Sequence, residues 1–293
     1  MSIRPRRSVL YMPGSNARAL EKARSLDADA LILDLEDAVA PDAKETARAQ
    51  VCDAVRQGGY GHREVVIRIN GLDTPWGRDD LAAAVAARPD AILAPKVSQA
   101  SDIFTLTGHM GHADRSIRLW AMMETPLAML NAREIAATAA DQGARLSAFV
   151  MGTNDLAKET GARLAAGRVG MLAWLSTCVA AASAYGIAIL DGVYNDFRDE
   201  AGFLAECEHG RDLGMDGKTL IHPGQLAGAN RVFAPADAEV EAARKIIDAF
   251  DLPENAGKGV ITVDGRMVEL MHGEMARRTV AMAEAIAKRG DQQ

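Results

Sequence analysis

Two acidic residues stand just after apolar runs of the sequence, where each run ends. Glu124 directly follows the run 117–123, and Asp155 comes three residues after the run 146–152. Runs of this length are typical of buried strands in a parallel sheet, whose carboxyl ends meet at one edge. A carboxylate there is costly to bury unless a cation compensates its charge. Two such acids on successive strands predict a hard cation held by oxygen ligands. Each acid could instead cap the helix that follows its strand.

Charged side chains also end two earlier strand-like runs. Arg68 lies near the end of 65–70, and Glu36 and Asp37 end 30–37. A guanidinium that points into a folded interior needs an anionic partner, and one of these acids is the simplest choice.

Eight strand-like segments alternate with helix-like segments along most of the chain. The strand-like segments are 8–12, 30–37, 65–70, 91–96, 116–124, 146–152, 187–191 and 217–223. Eight βα units are the repeat count of a TIM (β/α)8 barrel. The competing fold is a doubly wound sheet, which gathers its polar strand ends at one switch point. Because polar residues end nearly every strand here, the sequence predicts an α/β protein with a closed TIM barrel.

The pattern changes after the eighth unit. The predicted elements there are a helix over 236–250, a hairpin over 260–269 that turns at Asp264-Gly265, and a helix over 271–287. We therefore predict two domains. Residues 1–234 form the barrel catalytic domain, and residues 235–293 form a helical and hairpin extension that caps its own barrel or a neighbour's.

Composition limits the class of protein. With 48% hydrophobic and 25% charged residues among 293, the chain has the composition of a globular protein. Its net charge of −7 argues against nucleic acid or an anionic membrane surface as the main partner. No apolar run approaches the ~20 residues that span a bilayer. The three cysteines form no CxxC pair, as is usual in a reducing compartment. We expect a cytoplasmic protein.

The strand ends carry seven motifs in order. They are Tyr11-Met12-Pro13-Gly14-Ser15, Asp34-Leu35-Glu36-Asp37-Ala38-Val39, Arg68-Ile69-Asn70-Gly71, Pro95-Lys96, Glu124-Thr125, Gly152-Thr153-Asn154-Asp155-Leu156 and Ile221-His222-Pro223. Together they resemble the citrate lyase β-subunit-like family of the HpcH/HpaI aldolase superfamily, over roughly residues 7–287. The resemblance implies a Mg²⁺-dependent TIM barrel, homotrimeric or homohexameric, that cleaves or forms a C–C bond in a 3-hydroxyacyl-CoA.

The resemblance gives roles to the acids and to Arg68. Glu124 and Asp155 would hold Mg²⁺, with Mn²⁺ as an alternative ion, and would contact the substrate. Arg68 would grip the 2-oxoacid part of the substrate and help to stabilise charge in the reaction. Glu36 and Asp37 would bind metal-bound waters or orient Arg68.

Other motif residues receive binding roles from the same resemblance. Asn154, Ile221 and His222 would line the substrate pocket. Lys96 would be a ligand-binding group or an ion-pair partner within the barrel. No His or Cys lies at ligand spacing around His222, so a zinc site is not expected.

Coenzyme A is expected to bind after the first strand. Tyr11 and Lys22 match the aromatic and lysine positions that bind CoA in the lyases, and Met12 lies beside Tyr11. Asn16 stands where some members have a phosphate-binding arginine, and Arg18, one helical turn before Lys22, could supply that charge. The alternative is a solvated basic helix face.

The sequence departs from the family pattern at Glu269. In the lyases the matching position holds an Asp that serves as general acid/base, often from the neighbouring subunit. A Glu keeps the carboxyl chemistry, but its longer side chain places the proton or water differently. The alternative is a surface acid at the end of a hairpin.

The expected activity is that of a carbon–carbon lyase. Its substrate would be a malyl-CoA, citramalyl-CoA or citryl-CoA type ester, split into acetyl-CoA and a 2-oxoacid. One alternative is a (3S)-malyl-CoA thioesterase on the same scaffold, in which Glu269 activates water. Another is a non-catalytic subunit that binds CoA esters.

Overall fold

The computed structural model describes residues 3–290. Arg6–Phe233 forms one compact unit, and the described residues before Arg6 and from Ala234 onward form a second. Within the described residues, no helix combines the length and the apolar character needed to cross a membrane.

The first unit is a closed barrel of eight parallel strands, each paired with the next in chain order, with β8 returning to β1. The strands are β1 (Ser8–Pro13), β2 (Ala30–Asp34), β3 (Glu64–Arg68), β4 (Ala91–Ala94), β5 (Arg118–Met123), β6 (Leu146–Met151), β7 (Ala188–Asp191) and β8 (Gly217–Leu220). The helices are α1 (Ala17–Ala23), α2 (Lys44–Gln57), α3 (Gly77–Ala87), α4 (Ala100–Met110), α5 (Pro126–Leu130), α6 (Ala132–Ala137), α7 (Thr153–Thr160), α8 (Leu172–Ala184), α9 (Glu200–Leu213) and α10 (Leu226–Val232). The predicted TIM barrel is confirmed.

Strand alternation divides the core into two layers. Inside the barrel, residues such as Ile32, Trp120 and Val150 pack together, and a second set packs in the layer that includes the surrounding helices. In β1 this alternation turns Tyr11 toward the inner layer and Met12 into the outer one. The Met12 side chain is 5% exposed within the outer core, and the part of Met12 in CoA binding stays a prediction.

The segment 126–140, which follows Glu124, is not one continuous helix. It forms two short helices, α5 and α6, followed by a 3-10 turn. The break lies at Asn131, whose φ of −104° and ψ of 13° leave the helical region. Its side-chain amide donates instead to the carbonyl oxygen of Ser98, at 2.9 Å. This bond ties the segment after Glu124 to the segment after β4.

The second unit contains α11 (Asp237–Asp251), β9 (Val260–Val263), β10 (Arg266–Glu269) and α12 (Leu270–Gly290). The two strands pair antiparallel, and Asp264 and Gly265 between them have φ values of 50° and 77°. Positive φ at both central residues is the requirement of a two-residue hairpin turn. The helical and hairpin extension thus has the predicted form.

A buried ion cluster joins the end of β7 and the start of β8 to the segment before α8. Asp191 is fully buried and accepts hydrogen bonds from Lys218 Nζ at 2.9 Å and Arg168 Nη1 at 2.6 Å. Lys218 also donates to the Gly192 carbonyl oxygen and to Glu206. Burial alone would raise the pKa of Asp191, but the two cations outweigh it and hold that pKa below its usual range. The charged form of Asp191 therefore stabilises the fold.

We expect Asp191→Asn to lower the free energy of unfolding at pH 7 by about 3–5 kcal/mol, since it leaves two buried cations short of an anion. The folded pKa is depressed, so the stabilisation is present above the unfolded value of about 4 and is lost as pH falls through the folded pKa. Urea unfolding of both proteins at pH 7, 5 and 3 measures this difference. Exposed Asp212 on α9 is the control, and Asp191→Asn no more destabilising than Asp212→Asn would contradict the prediction.

Candidate active site

A cavity of about 310 Å³ opens at the carboxyl ends of the barrel strands. Of the predicted site residues, its lining contains Tyr11, Asp37, Arg68, Glu124, Asn154, Asp155 and Ile221. The lining also contains residues to which sequence reasoning assigned no role, among them Asp34, Val193, Asn195 and Thr219. The barrel thus brings side chains from distant parts of the sequence to one pocket, because parallel strands all end on the same side.

The carboxylates of Glu124 and Asp155 both lie near one cation, the Lys96 ammonium. The Lys96 ammonium lies 2.5 Å from Asp155 Oδ1 and 3.7 Å from Glu124 Oε1. The Lys96 backbone N–H also donates to Glu124 Oε1 at 2.8 Å. Lys96 is therefore an ion-pair partner in the barrel, one of its two predicted roles. The two carboxylates predicted to hold the metal converge on the same small volume.

Glycine is needed beside Glu124. A Cβ built on Gly152 would overlap Glu124 Cβ and would lie 2.8 Å from its Oε2. The absence of a side chain at Gly152 leaves room for the Glu124 carboxylate at the end of β6, where α7 begins. Glu124 is only 1% exposed, and burial, opposed in part by Lys96, raises its pKa.

Arg68 is held by acids from β2 and the segment after it. Its Nε and Nη2 each donate to Asp34 at 2.6 Å, forming a bidentate pair. Its Nη1 lies 2.6 Å from Glu36 Oε2 and 3.1 Å from Asp37 Oδ2. The guanidinium also lies over the Tyr11 ring, 5.0 Å from the centroid. Arg68 is thereby fixed in position at the wall of the pocket.

The pocket carries more negative than positive charge. Five carboxylates (Asp34, Glu36, Asp37, Glu124 and Asp155) surround it, against the two cations Arg68 and Lys96. Burial, only partly opposed by Arg68, raises the pKa of Glu36 to about 8, so the negative charge near pH 7 comes from the other four carboxylates. Oxygen ligands with surplus negative charge are the donor set that Mg²⁺ prefers. Among the residues described, no group of three or more His, Cys, Asp or Glu side chains is arranged around one metal position. A metal held by Glu124 and Asp155 would keep its other positions for water and substrate.

The first turn of α7 forms another wall. Gly152, Thr153, Asn154 and Asp155 all line the cavity, and the first intrahelical bond runs from the Leu156 N–H to the Gly152 carbonyl. The N–H groups of the residues between them have no partner within the helix, as at every helix start. Asn154 is paired with Asn195 by two reciprocal side-chain hydrogen bonds of 3.0 and 2.8 Å. This pair joins the ends of β6 and β7.

The residues predicted to bind CoA lie in different surroundings. Tyr11 lies within the pocket, and Arg18 and Lys22 are exposed on α1. Asn16 caps α1, its side chain accepting from the Ala19 N–H at 3.1 Å. The basic face of α1 is thus open to a ligand, but no contact assigns it one.

The remaining predicted residues lie at the rim or in the second unit. His222 is exposed, stacks on Phe197 and accepts the Gly224 N–H at Nδ1. Glu269 ends β10 and is half-buried within the second unit, where its backbone N–H donates to His272 Nδ1 at 3.0 Å. The catalytic role of Glu269 stays a prediction.

Comparisons with known proteins point to one family. A family model described as HpcH/HpaI aldolase/citrate lyase matches residues 7–223. A (3S)-malyl-CoA thioesterase of Cereibacter sphaeroides is 55% identical over 97% of this chain and 96% of its own length. An L-malyl-CoA/β-methylmalyl-CoA lyase from the same species is 34% identical over 97% and 96%. The crystal structure of CitE from Mycobacterium tuberculosis, in complex with magnesium, acetoacetate and coenzyme A, aligns with a TM-score of 0.72 and 28% identity over 94% of this chain and 97% of its own.

Proposed function

The chain belongs to the HpcH/HpaI aldolase/citrate lyase family, and we propose that within this family it hydrolyses the thioester of (3S)-malyl-CoA. The observation that carries the proposal is the 55% identity with a (3S)-malyl-CoA thioesterase, against 34% with a malyl-CoA lyase. Both alignments cover nearly the whole chain, so the difference in identity does not arise because one relative lacks a domain. This reverses the order of the two activities that the motifs alone suggested.

The residues fit a divalent metal. Glu124 and Asp155 would hold Mg²⁺, the ion present in the related CitE structure. When bound, this ion would polarise an oxygen of the acyl group. Lys96, between the two carboxylates and 40% exposed, would move aside or share their charge. Glu36 and Asp37 would keep the role of orienting Arg68 that their contacts support.

The protein's own groups would bind and orient the malyl part. Arg68, locked by Asp34, presents a fixed positive charge to the substrate carboxylate. The free N–H groups at the start of α7 offer further donors to an anion. The Asn154–Asn195 pair and Ile221 would close the opposite side. Glu269 would take the proton of the attacking water and release it afterwards. Arg18 and Lys22 would attract the phosphates of CoA.

The products decide between hydrolysis and C–C cleavage. With malyl-CoA and Mg²⁺, a thioesterase releases malate and free CoA, whose thiol reacts with a disulfide reagent. A lyase releases acetyl-CoA and glyoxylate, which a hydrazine traps. We expect thiol without glyoxylate, and no thiol from acetyl-CoA given alone. Glyoxylate formed in step with malyl-CoA loss would establish the lyase instead, the second candidate that the 34% identical relative supports.

Arg68→Lys should keep the charge but raise the KM for malyl-CoA at least about tenfold. A lysine cannot make the bidentate bond to Asp34 that fixes the group, and it lacks the forked geometry that matches a carboxylate. Steady-state kinetics and circular dichroism measure binding and folding separately. Near-normal kinetics in a folded Arg68→Lys protein would remove Arg68 from substrate binding.

A further inference from the structure

A stack of planar side chains stands at the rim of the pocket. The Phe197 and His222 rings lie 4.7 Å apart between centroids, at an angle of 19°. The Arg198 guanidinium lies 5.7 Å from the centroid of the same Phe197 ring. Phe197 is 47% exposed. The exposed part of this ring therefore offers apolar, planar surface to a ligand at the rim.

Each ring lies on a segment of chain that also lines the pocket. Phe197 comes two residues after Asn195, and His222 comes directly after Ile221; Asn195 and Ile221 line the cavity. A ligand seated in the pocket and extending past these two residues would therefore meet the stack.

Hydrogen bonds hold the stack in place without a ligand. Gln225 accepts the N–H groups of Ile221 and His222, at 3.0 and 3.1 Å, and donates to the Tyr194 carbonyl oxygen at 3.1 Å. One side chain thus ties together the two segments that carry the rings. A surface ordered in advance loses less entropy when a ligand binds.

Local charge favours an uncharged ligand group at the stack. Arg198 is flanked along the chain by three exposed acids, Asp196, Asp199 and Glu200. A polyphosphate would be repelled there. The exposed cations Arg18 and Lys22 lie instead on α1, which follows β1, the strand paired with β8. The stack and these cations therefore belong to neighbouring sectors of the same rim.

We propose that Phe197 and His222, stacked at the pocket rim beside Asn195 and Ile221, bind the adenine ring of the CoA ester. The inference rests on the proposed function, since it needs a substrate with a nucleotide end. Purine bases stack on aromatic side chains whatever their hydrogen-bonding edges. The phosphates between the adenine and the acyl group would lie toward Arg18 and Lys22.

A pair of substrates separates the nucleotide end from the reacting end. Phe197→Ala should raise the KM for malyl-CoA about tenfold, the usual effect of losing one base–aromatic contact. The KM for malyl-pantetheine, which has no nucleotide, should not change, and kcat should hold for both. Phe197→Leu should raise the KM for malyl-CoA as Phe197→Ala does. Phe197→Trp, which keeps an aromatic ring, should leave that KM near the wild-type value. Phe104 on α4 is 46% exposed and serves as the matched control, so Phe104→Ala should alter neither KM.

Calorimetry with adenosine 3′,5′-bisphosphate tests the stack without turnover. The wild-type protein should bind this nucleotide about tenfold more tightly than Phe197→Ala. Unchanged nucleotide affinity, or an equal rise in KM for both substrates, would overturn the proposal. The second outcome would place Phe197 against the pantetheine arm or the acyl group. If malyl-CoA is not turned over, the proposed function fails, and nucleotide binding alone then decides whether the stack binds adenine.

Discussion

Glu124→Gln should abolish metal-dependent turnover, with a loss of at least about 10³-fold, while the barrel stays folded. A bound divalent ion contributes several kcal/mol of charge stabilisation to such reactions, and each 1.4 kcal/mol is worth tenfold in rate. The amide keeps the size of the side chain and can still accept the Lys96 N–H, so the change removes charge and little else. Burial opposes the charge at Glu124, and its removal should not destabilise the metal-free fold.

The matched control is Glu159→Gln. Glu159 Oε1 lies 4.0 Å from the same Lys96 ammonium, but Glu159 does not line the cavity and is 40% exposed. Binding of Mn²⁺, followed by calorimetry, should be lost in Glu124→Gln and in Asp155→Asn and kept in Glu159→Gln. Unchanged Mn²⁺ affinity in Glu124→Gln would place the metal elsewhere. Thermal unfolding without metal confirms that each variant is folded.

The barrel was predictable because its signals are local and repeated. The apolar runs that form the strands are short and mostly buried, entirely so at β2 and β3, and each is followed by a helical pattern. The acids at strand ends then had to meet, since the carboxyl ends of parallel strands share one face of a barrel. Glu124 and Asp155 could be paired on this ground alone.

The partners within the site were less predictable. Sequence reasoning offered Glu36 or Asp37 to Arg68, whereas the bidentate partner is Asp34, the last residue of β2. The register of β2 and β3, which sets Asp34 opposite Arg68, was not visible in the composition of either strand. For a related reason the motif did not show that Tyr11 faces the barrel interior and Met12 the outer layer, because strand alternation decides which of two neighbours faces inward.

Residues from the segment after β7 were missed for a different reason. Asn195 and Val193 carry no charge, and they follow a strand that ends at the charged residue Asp191. Their place in the pocket depends on the Asn154–Asn195 pair and on the buried cluster around Asp191, contacts between elements far apart in sequence. No local pattern marks such contacts.

Glu269→Gln should cut turnover by ~10²–10⁴, the usual contribution of a general acid or base, without changing metal affinity. Glu269 ends the hairpin of the second unit, at the position that the family resemblance gives to a proton-transferring carboxylate. We propose that residues 235–293 cap the mouth of a barrel, their own or that of a neighbouring subunit. The exposed apolar side chains of Met267, Leu270, Met271 and Met275 in this unit are suited to such docking.

Mixed oligomers distinguish the two arrangements. Neither Glu269→Gln nor Glu124→Gln alone should be active. If the tail serves a neighbour, co-assembly at equal amounts restores roughly a quarter of the sites, those that pair an intact barrel with an intact tail in a cyclic oligomer. If each tail serves its own barrel, no activity returns, and size measurement shows whether a monomer retains turnover. Full activity of Glu269→Gln by itself would show that Glu269 is only a surface acid. A group within the barrel would then have to activate the attacking water. Asp37 is the candidate, because it is the most exposed carboxylate in contact with Arg68.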